Sequence, residues 1–425
     1  MGLSILLAVF VVGLIIGLPV AVTLGVSSLS YLLVMGIPAV VMPQKMYAGM
    51  DVFVLLSIPG FILAGNLMNR GGITERIIRF ANSLVGWIRG GLGLTNVGAS
   101  MLFGGITGTA VADAASIGGV MIPGMKKAGY PADFSAAVTA ASSTVGPIIP
   151  PSVPMIIVGA LSGISVGKMF LAGAIPGILM GLAMMVTTYL IARKKNFPKQ
   201  DWQGFREIGK SFAGAFWALA MTGIILYGLL SGIATPTETA IVASVYAMVI
   251  GLFIYRELPI LEIPKILVDS AVSATGILLL VGFANVFGWI LVSEQIPQAI
   301  ASAVLSMTDN KFLVILIINI LLLLVGMFME TIAALIILFV PLLALAVAVD
   351  IEPLHFATFA VLNLMIGLTT PPLGVCLFVC AGIARLPLTP VVIAILPFLF
   401  TNILVLLLVS YVPAISTWLP SVLMP

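Results

Sequence analysis

Long apolar stretches separated by short polar segments run through almost the whole chain. A helix needs about 20 apolar residues to cross a membrane. Stretches of about that length occupy residues 52–69, 168–192, 212–230, 237–256, 266–292 and 390–412. Residues 3–35 are apolar for longer than one crossing and contain Pro19, which fits either two short helices or one kinked helix. The pattern predicts an all-α polytopic membrane protein.

Two segments show a different, amphipathic pattern. Residues 73–89 place apolar side chains on one helical face and charged or polar side chains on the other, which predicts an arm helix lying at the membrane interface. Residues 293–307 align with this arm at an offset of 221 residues, as Ser293 with Gly72, and predict a second arm. Residues 37–51 contain two prolines, a lysine and an aspartate, and predict a loop.

Two further apolar regions, 90–125 and 311–345, are interrupted near the middle. The interruptions read GGITGTAVAD from residue 104 and VGMFMET from residue 325. Limbs of roughly 15 residues span about 22 Å as helices, which is too short to cross. The pattern therefore predicts two re-entrant helical hairpins.

Residues 133–165 and 354–384 are apolar but cannot form continuous helices, because prolines lack a backbone N–H and clash with the preceding turn. The first break reads SSTVGPIIPPSVP from residue 142 and the second NLMIGLTTPPLG from residue 363. The offset is again 221 residues, from Gly146 to Gly367 and from Pro150 to Pro371. Broken helices at matching places in two halves of a chain mark the binding site of a transporter.

These segments divide the chain into two repeats. We expect N-terminal scaffold helices in 1–51, repeats in 52–192 and 265–412, linking spans in 193–264 and a C-terminal tail in 413–425. About eleven crossing helices and two hairpins result, and an odd number of spans between the repeats would make them inverted.

Composition and charge narrow the class further. The chain is 61% hydrophobic and 8% charged, far from the roughly 25% charged residues of soluble proteins. Residues 193–210 form the only long polar loop and hold six of the eighteen basic residues, which places this loop in the cytoplasm. A net charge of +3 gives no nucleic-acid footprint.

The breaks and hairpin tips carry the candidate chemistry. Unwound carbonyls and threonine hydroxyls are hard oxygen ligands of the kind that bind Na⁺, and half-helix N-termini attract anionic groups. From the residues alone these are Thr107 and Thr109 at the first tip and the carbonyls of Gly146, Ile149, Pro151, Gly367 and Thr370.

Two acids, Asp113 and Glu330, lie near the tips. Carboxylates at membrane depth are functional candidates. They could carry coupling protons, lie near the cations, pair with an arginine or make structural hydrogen bonds. Glu238 is a candidate helix cap, and His355 is more typical of a structural residue.

Enzyme signatures are absent from the sequence. No H-E-x-x-H, G-x-S-x-G or G-x-x-x-x-G-K-[ST] motif occurs, so the chain cannot itself use ATP and an ion gradient is the available driving force. We expect no cofactor other than Na⁺ as coupling ion.

These residues resemble a known family. The chain is similar to the large membrane subunit of tripartite ATP-independent periplasmic (TRAP) transporters, within the ion-transporter superfamily. The similarity covers nearly the whole chain, and the matching stretches are IPGFILAGNLMNRGGI at 58–73, ITGTAVADAA at 106–115, GPIIPPS at 146–152, ATPTETA at 234–240 and GLTTPPLG at 367–374.

The resemblance implies an elevator transporter, in which a domain of hairpins and broken helices slides against a scaffold. It implies a first sodium site at Gly104, Thr107, Gly146, Ile149 and Pro151, and a second at Gly326, Gly367, Thr370 and Leu373. Substrate-binding or tip candidates are Thr109, Asp113, Glu330 and Ser152. The family tip usually carries serines where this chain has threonines, and often a hydroxyl residue at position 104.

The resemblance also implies partners and a location. They are a small membrane subunit of about four helices, in an unfused arrangement, and a periplasmic binding protein that delivers a carboxylate such as sialic acid, a sugar acid or a C4-dicarboxylate. The location is the bacterial inner membrane. The alternatives are a standalone sodium:dicarboxylate symporter of the same superfamily, an intramembrane hydrolase and a channel.

Overall fold

The computed structural model describes residues 2–424, except for the side chains of residues 105–107. Within this range the chain forms helices and no strand. The first ten helices are α1 (Gly2–Ile16), α2 (Val20–Val34), α3 (Val41–Met50), α4 (Ser57–Arg70), α5 (Ile73–Val85), α6 (Gly91–Thr107), α7 (Ala110–Lys127), α8 (Ala132–Ser143), α9 (Val153–Ser162) and α10 (Val166–Lys194). The next ten are α11 (Gly204–Leu230), α12 (Pro236–Val249), α13 (Ile263–Ser293), α14 (Ile296–Met307), α15 (Lys311–Gly326), α16 (Thr331–Ala348), α17 (Pro353–Gly367), α18 (Val375–Ala384), α19 (Leu388–Tyr411) and α20 (Ala414–Leu423).

Several of these helices can cross a membrane. Seven in the described part of the chain are long and apolar enough, or eight if the pair formed by Ala132–Ile148 and Val153–Ser162, bent by 42°, counts as one span. The other apolar helices have 10 to 17 residues. The all-α polytopic class is therefore confirmed, while the count of about eleven crossings stays a prediction.

The N-terminal apolar stretch is two short helices, one of the two predicted alternatives. They fold back on each other, because a Cβ on Gly2 would meet the Met35 sulfur at 2.6 Å and one on Gly13 would meet the Thr23 methyl at 2.7 Å. Each helix has 15 residues, or about 22 Å, less than the hydrocarbon core of about 30 Å. This pair does not span the bilayer.

Three segments are more helical than the sequence predicts. The expected loop at 37–51 contains α3, because Pro43 lies in the first turn, where a missing N–H costs little. The expected polar loop at 193–210 shrinks to residues 195–203, because α10 and α11 extend into it with solvated charges. The expected tail at 413–425 contains α20, which His355 contacts through Ser416 at 2.8 Å.

The two halves repeat one order of elements: a long helix, an arm, two short helices and a helix pair with a break. Arm α5 is fixed to its neighbours by Arg76 to Glu257 and Arg79 to Glu207, both at 2.6 Å. The halves interlock, because α7 packs against α18 and α16 packs against α9. This interlocked centre positions the site.

Candidate functional site

The first half of the site is a close contact between two backbones. Gly104 near the end of α6 lies against Gly146, where the chain leaves α8. A Cβ on Gly104 would lie only 2.1 Å from the Gly146 Cα and 2.7 Å from its carbonyl oxygen. Real carbon–carbon contacts need about 3.5 Å. Only glycine fits at position 104, and backbone oxygens therefore come close together here.

The second half of the site repeats this contact. A Cβ on Gly367 would lie 2.6 Å from the Gly326 Cα, and one on Gly326 would lie 3.2 Å from the Gly367 Cα. Gly326 ends α15 and Gly367 ends α17, as Gly104 and Gly146 lie at the corresponding places in the first half. Four of the predicted residues therefore form two equivalent pairs.

The breaks in the helices follow from the prolines. After α8 the chain makes a short turn at Gly146–Ile148, and α9 restarts after a cis Pro150–Pro151 bond. Ser152 caps α9: its hydroxyl accepts from the Met155 N–H at 3.2 Å and donates to the Pro147 carbonyl. The tip candidate Ser152 is thus a fully buried cap.

The second break has the same construction. α17 ends at Gly367, and α18 begins after a cis Pro371–Pro372 bond and a left-handed Gly374. The Thr370 hydroxyl donates to the Ile366 carbonyl at 2.9 Å, which leaves its oxygen lone pairs available as acceptors. Both breaks therefore leave oxygens at the ends of half-helices.

Asp113 lies beside the first glycine pair. Its Oδ2 is 3.5 Å from the position that a Cβ on Gly146 would take. The carboxylate is fully buried, and neither oxygen has a hydrogen-bond partner within the described residues. An isolated buried charge is strongly unfavourable, so this carboxylate needs a counter-charge or a proton. No arginine pairs with it in that part of the chain, which removes one of the alternatives for Asp113.

Glu330 has a different role from Asp113, although both lie near hairpin tips. Its carboxylate accepts from the N–H groups of Ile332 at 3.0 Å and Ala333 at 3.3 Å, which caps α16. Of the alternatives for Glu330, the structure supports the structural hydrogen bond.

The remaining predicted residues are placed unequally. The Pro151 carbonyl faces the first tip, 3.5 Å from where a Cβ on Gly108 would lie. Ile149 is half-buried against α10, and Thr109 is half-buried with an extended backbone before α7. Leu373 is 43% exposed. The side chain of Thr107 lies outside the described residues.

The sequence reasoning missed two polar contacts behind the glycine pairs. Asn96 on α6 donates to Thr139 at 2.6 Å and accepts from Ser142 at 3.2 Å on α8. Asn363 on α17 donates to the Asn319 side chain on α15 at 2.8 Å. Ser142 and Asn363 are 221 residues apart and lie one turn before the paired glycines, so the repeat offset could have found them.

Known proteins resemble this chain over nearly its whole length. Residues 7–415 match the family described as tripartite ATP-independent periplasmic transporter, DctM component. The sialic acid TRAP transporter large permease protein SiaM of Vibrio cholerae is 42% identical, covering 95% of each chain. The C4-dicarboxylate TRAP transporter large permease protein DctM of the same organism is 38% identical, covering 99% of this chain and 98% of that one.

A solved structure shares the fold. The crystal structure of the YdaH transporter of Alcanivorax borkumensis matches with a TM-score of 0.66, covering 90% of this chain and 89% of that one. At 15% identity this likeness concerns the fold alone.

Proposed function

The chain belongs to the family of the DctM component of tripartite ATP-independent periplasmic transporters, and we propose that it couples uptake of an organic anion to sodium entry. It is the large membrane subunit, a multi-pass protein of the bacterial inner membrane. The family is one of transporters, not enzymes. The repeated glycine contact, Gly104 with Gly146 and Gly326 with Gly367, carries the proposal.

Each glycine contact is the centre of one sodium site in this proposal. The first site takes oxygens from Gly104, Thr107, Gly146, Ile149 and Pro151, and the second from Gly326, Gly367, Thr370 and Leu373. Support comes from the close approach of backbones that carry unwound carbonyls, which are ligands for a small hard cation.

Asp113 supports a cation in the first site. A bound Na⁺ would supply the positive charge that the buried carboxylate lacks within the described residues. The second site has no equivalent unpaired acid there, since Glu330 caps α16. The two sites then differ in charge, and the first binds sodium more tightly.

The helices support inverted repeats and an elevator movement. Arg70 at the end of α4 lies 3.9 Å from Glu262, just before α13, and Asn66 hydrogen-bonds Ser270 at 2.8 Å. The first long helices of the two repeats therefore run antiparallel. In the proposal, α6–α7 and α15–α16 are re-entrant hairpins, the chain has about eleven crossings, and hairpins and broken helices slide as one body.

The substrate is an organic anion with a carboxylate. The names of the two Vibrio cholerae relatives give sialic acid and C4-dicarboxylates. The half-helix N-termini at Thr109 and Ser152 present backbone N–H groups, which attract a carboxylate. Tripartite relatives support two partners: a small membrane subunit and a periplasmic binding protein that delivers the anion.

Uptake into proteoliposomes tests the function. Labelled sialic acid and C4-dicarboxylates are supplied under an inward sodium gradient, with and without the two partner proteins. Uptake that requires all components and the gradient supports the proposal. Uptake by this chain alone favours a standalone symporter, and sodium-independent flux far above carrier rates favours a channel.

A variant with a matched control tests the cation sites. The hydroxyls of Thr369 and Thr370 both donate to the Ile366 carbonyl at 2.9 Å, so either change to alanine loses the same hydrogen bond. Thr370→Ala, alone or with Thr107→Ala, should raise the sodium concentration for half-maximal uptake, while Thr369→Ala should not. Equal effects of Thr369→Ala and Thr370→Ala would contradict the second site.

A further inference from the structure

A cavity of about 400 Å³ separates two groups of helices that contact each other elsewhere. One wall comes from α3 and α13, and the opposite wall comes from α9 and α16. Apart from Asn285 and Trp289, all of its lining residues have apolar side chains or none. An apolar cavity of this size with few polar groups is typical of a ligand site.

The depth of the cavity matches one leaflet of a bilayer. Along α13 its lining runs from Trp289 to Val281, a distance of about 12 Å along the helix. One leaflet contributes about 15 Å of hydrocarbon. Trp289 lies about 6 Å from the end of α13 at Ser293, at the depth where tryptophan is enriched in membrane proteins.

A positive charge lies at the tryptophan end of the cavity. The Lys45 ammonium is 5.2 Å from the centre of the Trp289 ring. Lys45 precedes Ala48 and Gly49, two lining residues, by three and four positions, so all three share one face of α3. No acidic group lies within 4 Å of Lys45 in the part of the chain that the structure describes.

We propose that this cavity binds one acyl chain of an anionic membrane lipid, with the headgroup at Lys45. The apolar walls bury the chain, and the unpaired ammonium attracts the anionic headgroup. A small soluble carboxylate fits the site less well, because the walls offer it one amide and no further polar side chain except the Trp289 indole. The bound lipid contacts both walls at once and stabilises their present arrangement.

The chain provides a matched pair of glycines for the test. Gly288 lines the cavity, and a Cβ there would meet no atom within 4 Å, so Gly288→Leu fills the cavity without a clash at Cβ. Gly276 lies on the same helix, also meets no atom, and does not line the cavity, so Gly276→Leu is the control. Ala160→Leu fills the cavity from the opposite wall and replaces Gly288→Leu if that variant does not fold.

Native mass spectrometry of the purified full chain measures binding of added phosphatidylglycerol and phosphatidylcholine. We expect a retained phosphatidylglycerol molecule in the wild type and in Gly276→Leu, and its loss in the cavity-filling variant. Lys45→Ala should weaken phosphatidylglycerol binding about fivefold and remove the preference over phosphatidylcholine. Competition by palmitate would support the same chemistry from a free fatty acid.

Two results would overturn the proposal. One is equal phosphatidylglycerol binding by the wild type and the cavity-filling variant. The other is displacement of the lipid by sialic acid or a C4-dicarboxylate, which would make the cavity part of the substrate path. Because binding is measured without transport, neither result bears on the sodium-coupled uptake proposed above.

Discussion

The two glycine contacts allow a graded prediction from four alanine substitutions. The separation that each needs follows from the added Cβ and a contact distance of about 3.5 Å. Gly104→Ala starts at 2.1 Å and needs about 1.4 Å, and Gly367→Ala starts at 2.6 Å and needs about 0.9 Å. Gly146→Ala starts at 3.0 Å and Gly326→Ala at 3.2 Å, so these need about 0.5 and 0.3 Å.

The cost of these changes falls on the arrangement that brings the oxygens together. The obstructing atoms are backbone, which cannot rotate away, so the two segments must separate. Overpacking of this kind costs about 1–3 kcal/mol. If that energy is lost from cation binding, the sodium concentration for half-maximal uptake rises about 5- to 150-fold. We expect this for Gly104→Ala and Gly367→Ala, and less than about fivefold for Gly326→Ala.

The assay is the sodium dependence of anion uptake in proteoliposomes, with thermal unfolding of each purified variant to establish that it folds. Gly119→Ala is the control, because a Cβ on this glycine of α7 would meet no atom within 4 Å. An unchanged sodium dependence in Gly104→Ala would refute the reasoning. So would a larger effect from Gly326→Ala than from Gly367→Ala.

Three further predictions concern other contacts. Asn69 on α4 hydrogen-bonds Ser116 on α7 at 2.7 Å, so a disulfide between cysteines at these positions should stop uptake until a reductant is added; full activity of the cross-linked protein would contradict an elevator movement, and both native cysteines are buried and give no background. Asp113→Asn should raise the sodium requirement about tenfold or more, because it removes the buried charge that faces the cation; uptake with an unaltered requirement would count against the first site. Arg76→Ala should lower the free energy of unfolding by about 1 kcal/mol through loss of the contact with Glu257, and the charge-swapped double variant should recover part of it in thermal unfolding; no recovery would assign the effect to packing.

The sequence predicted the breaks because their causes are local. Prolines such as Pro147 and Pro150 cannot continue a helix in any fold. The cap at the start of α12 was also readable, since Thr235 and Glu238 form a capping box within four residues. The arm α5 followed from its amphipathic pattern alone.

Other features could not be read because they depend on distant parts of the chain. Gly104 and Gly146 are 42 positions apart, and their contact depends on how α6 packs against the break. The separate fates of Asp113 and Glu330 are similar: both acids lie near tips, and only packing leaves the first without a partner in the described residues while the second caps α16.

The sequence by itself determined the membrane class, the two repeats, the places where helices break and the family resemblance. Each of these depends on composition, periodicity or the local chemistry of proline and glycine. Only the tertiary structure decided that the N-terminal pair folds back, that the glycines pair across each repeat, and that an apolar cavity opens beside Lys45. Contacts between distant segments depend on the summed packing of many side chains, which no local pattern specifies.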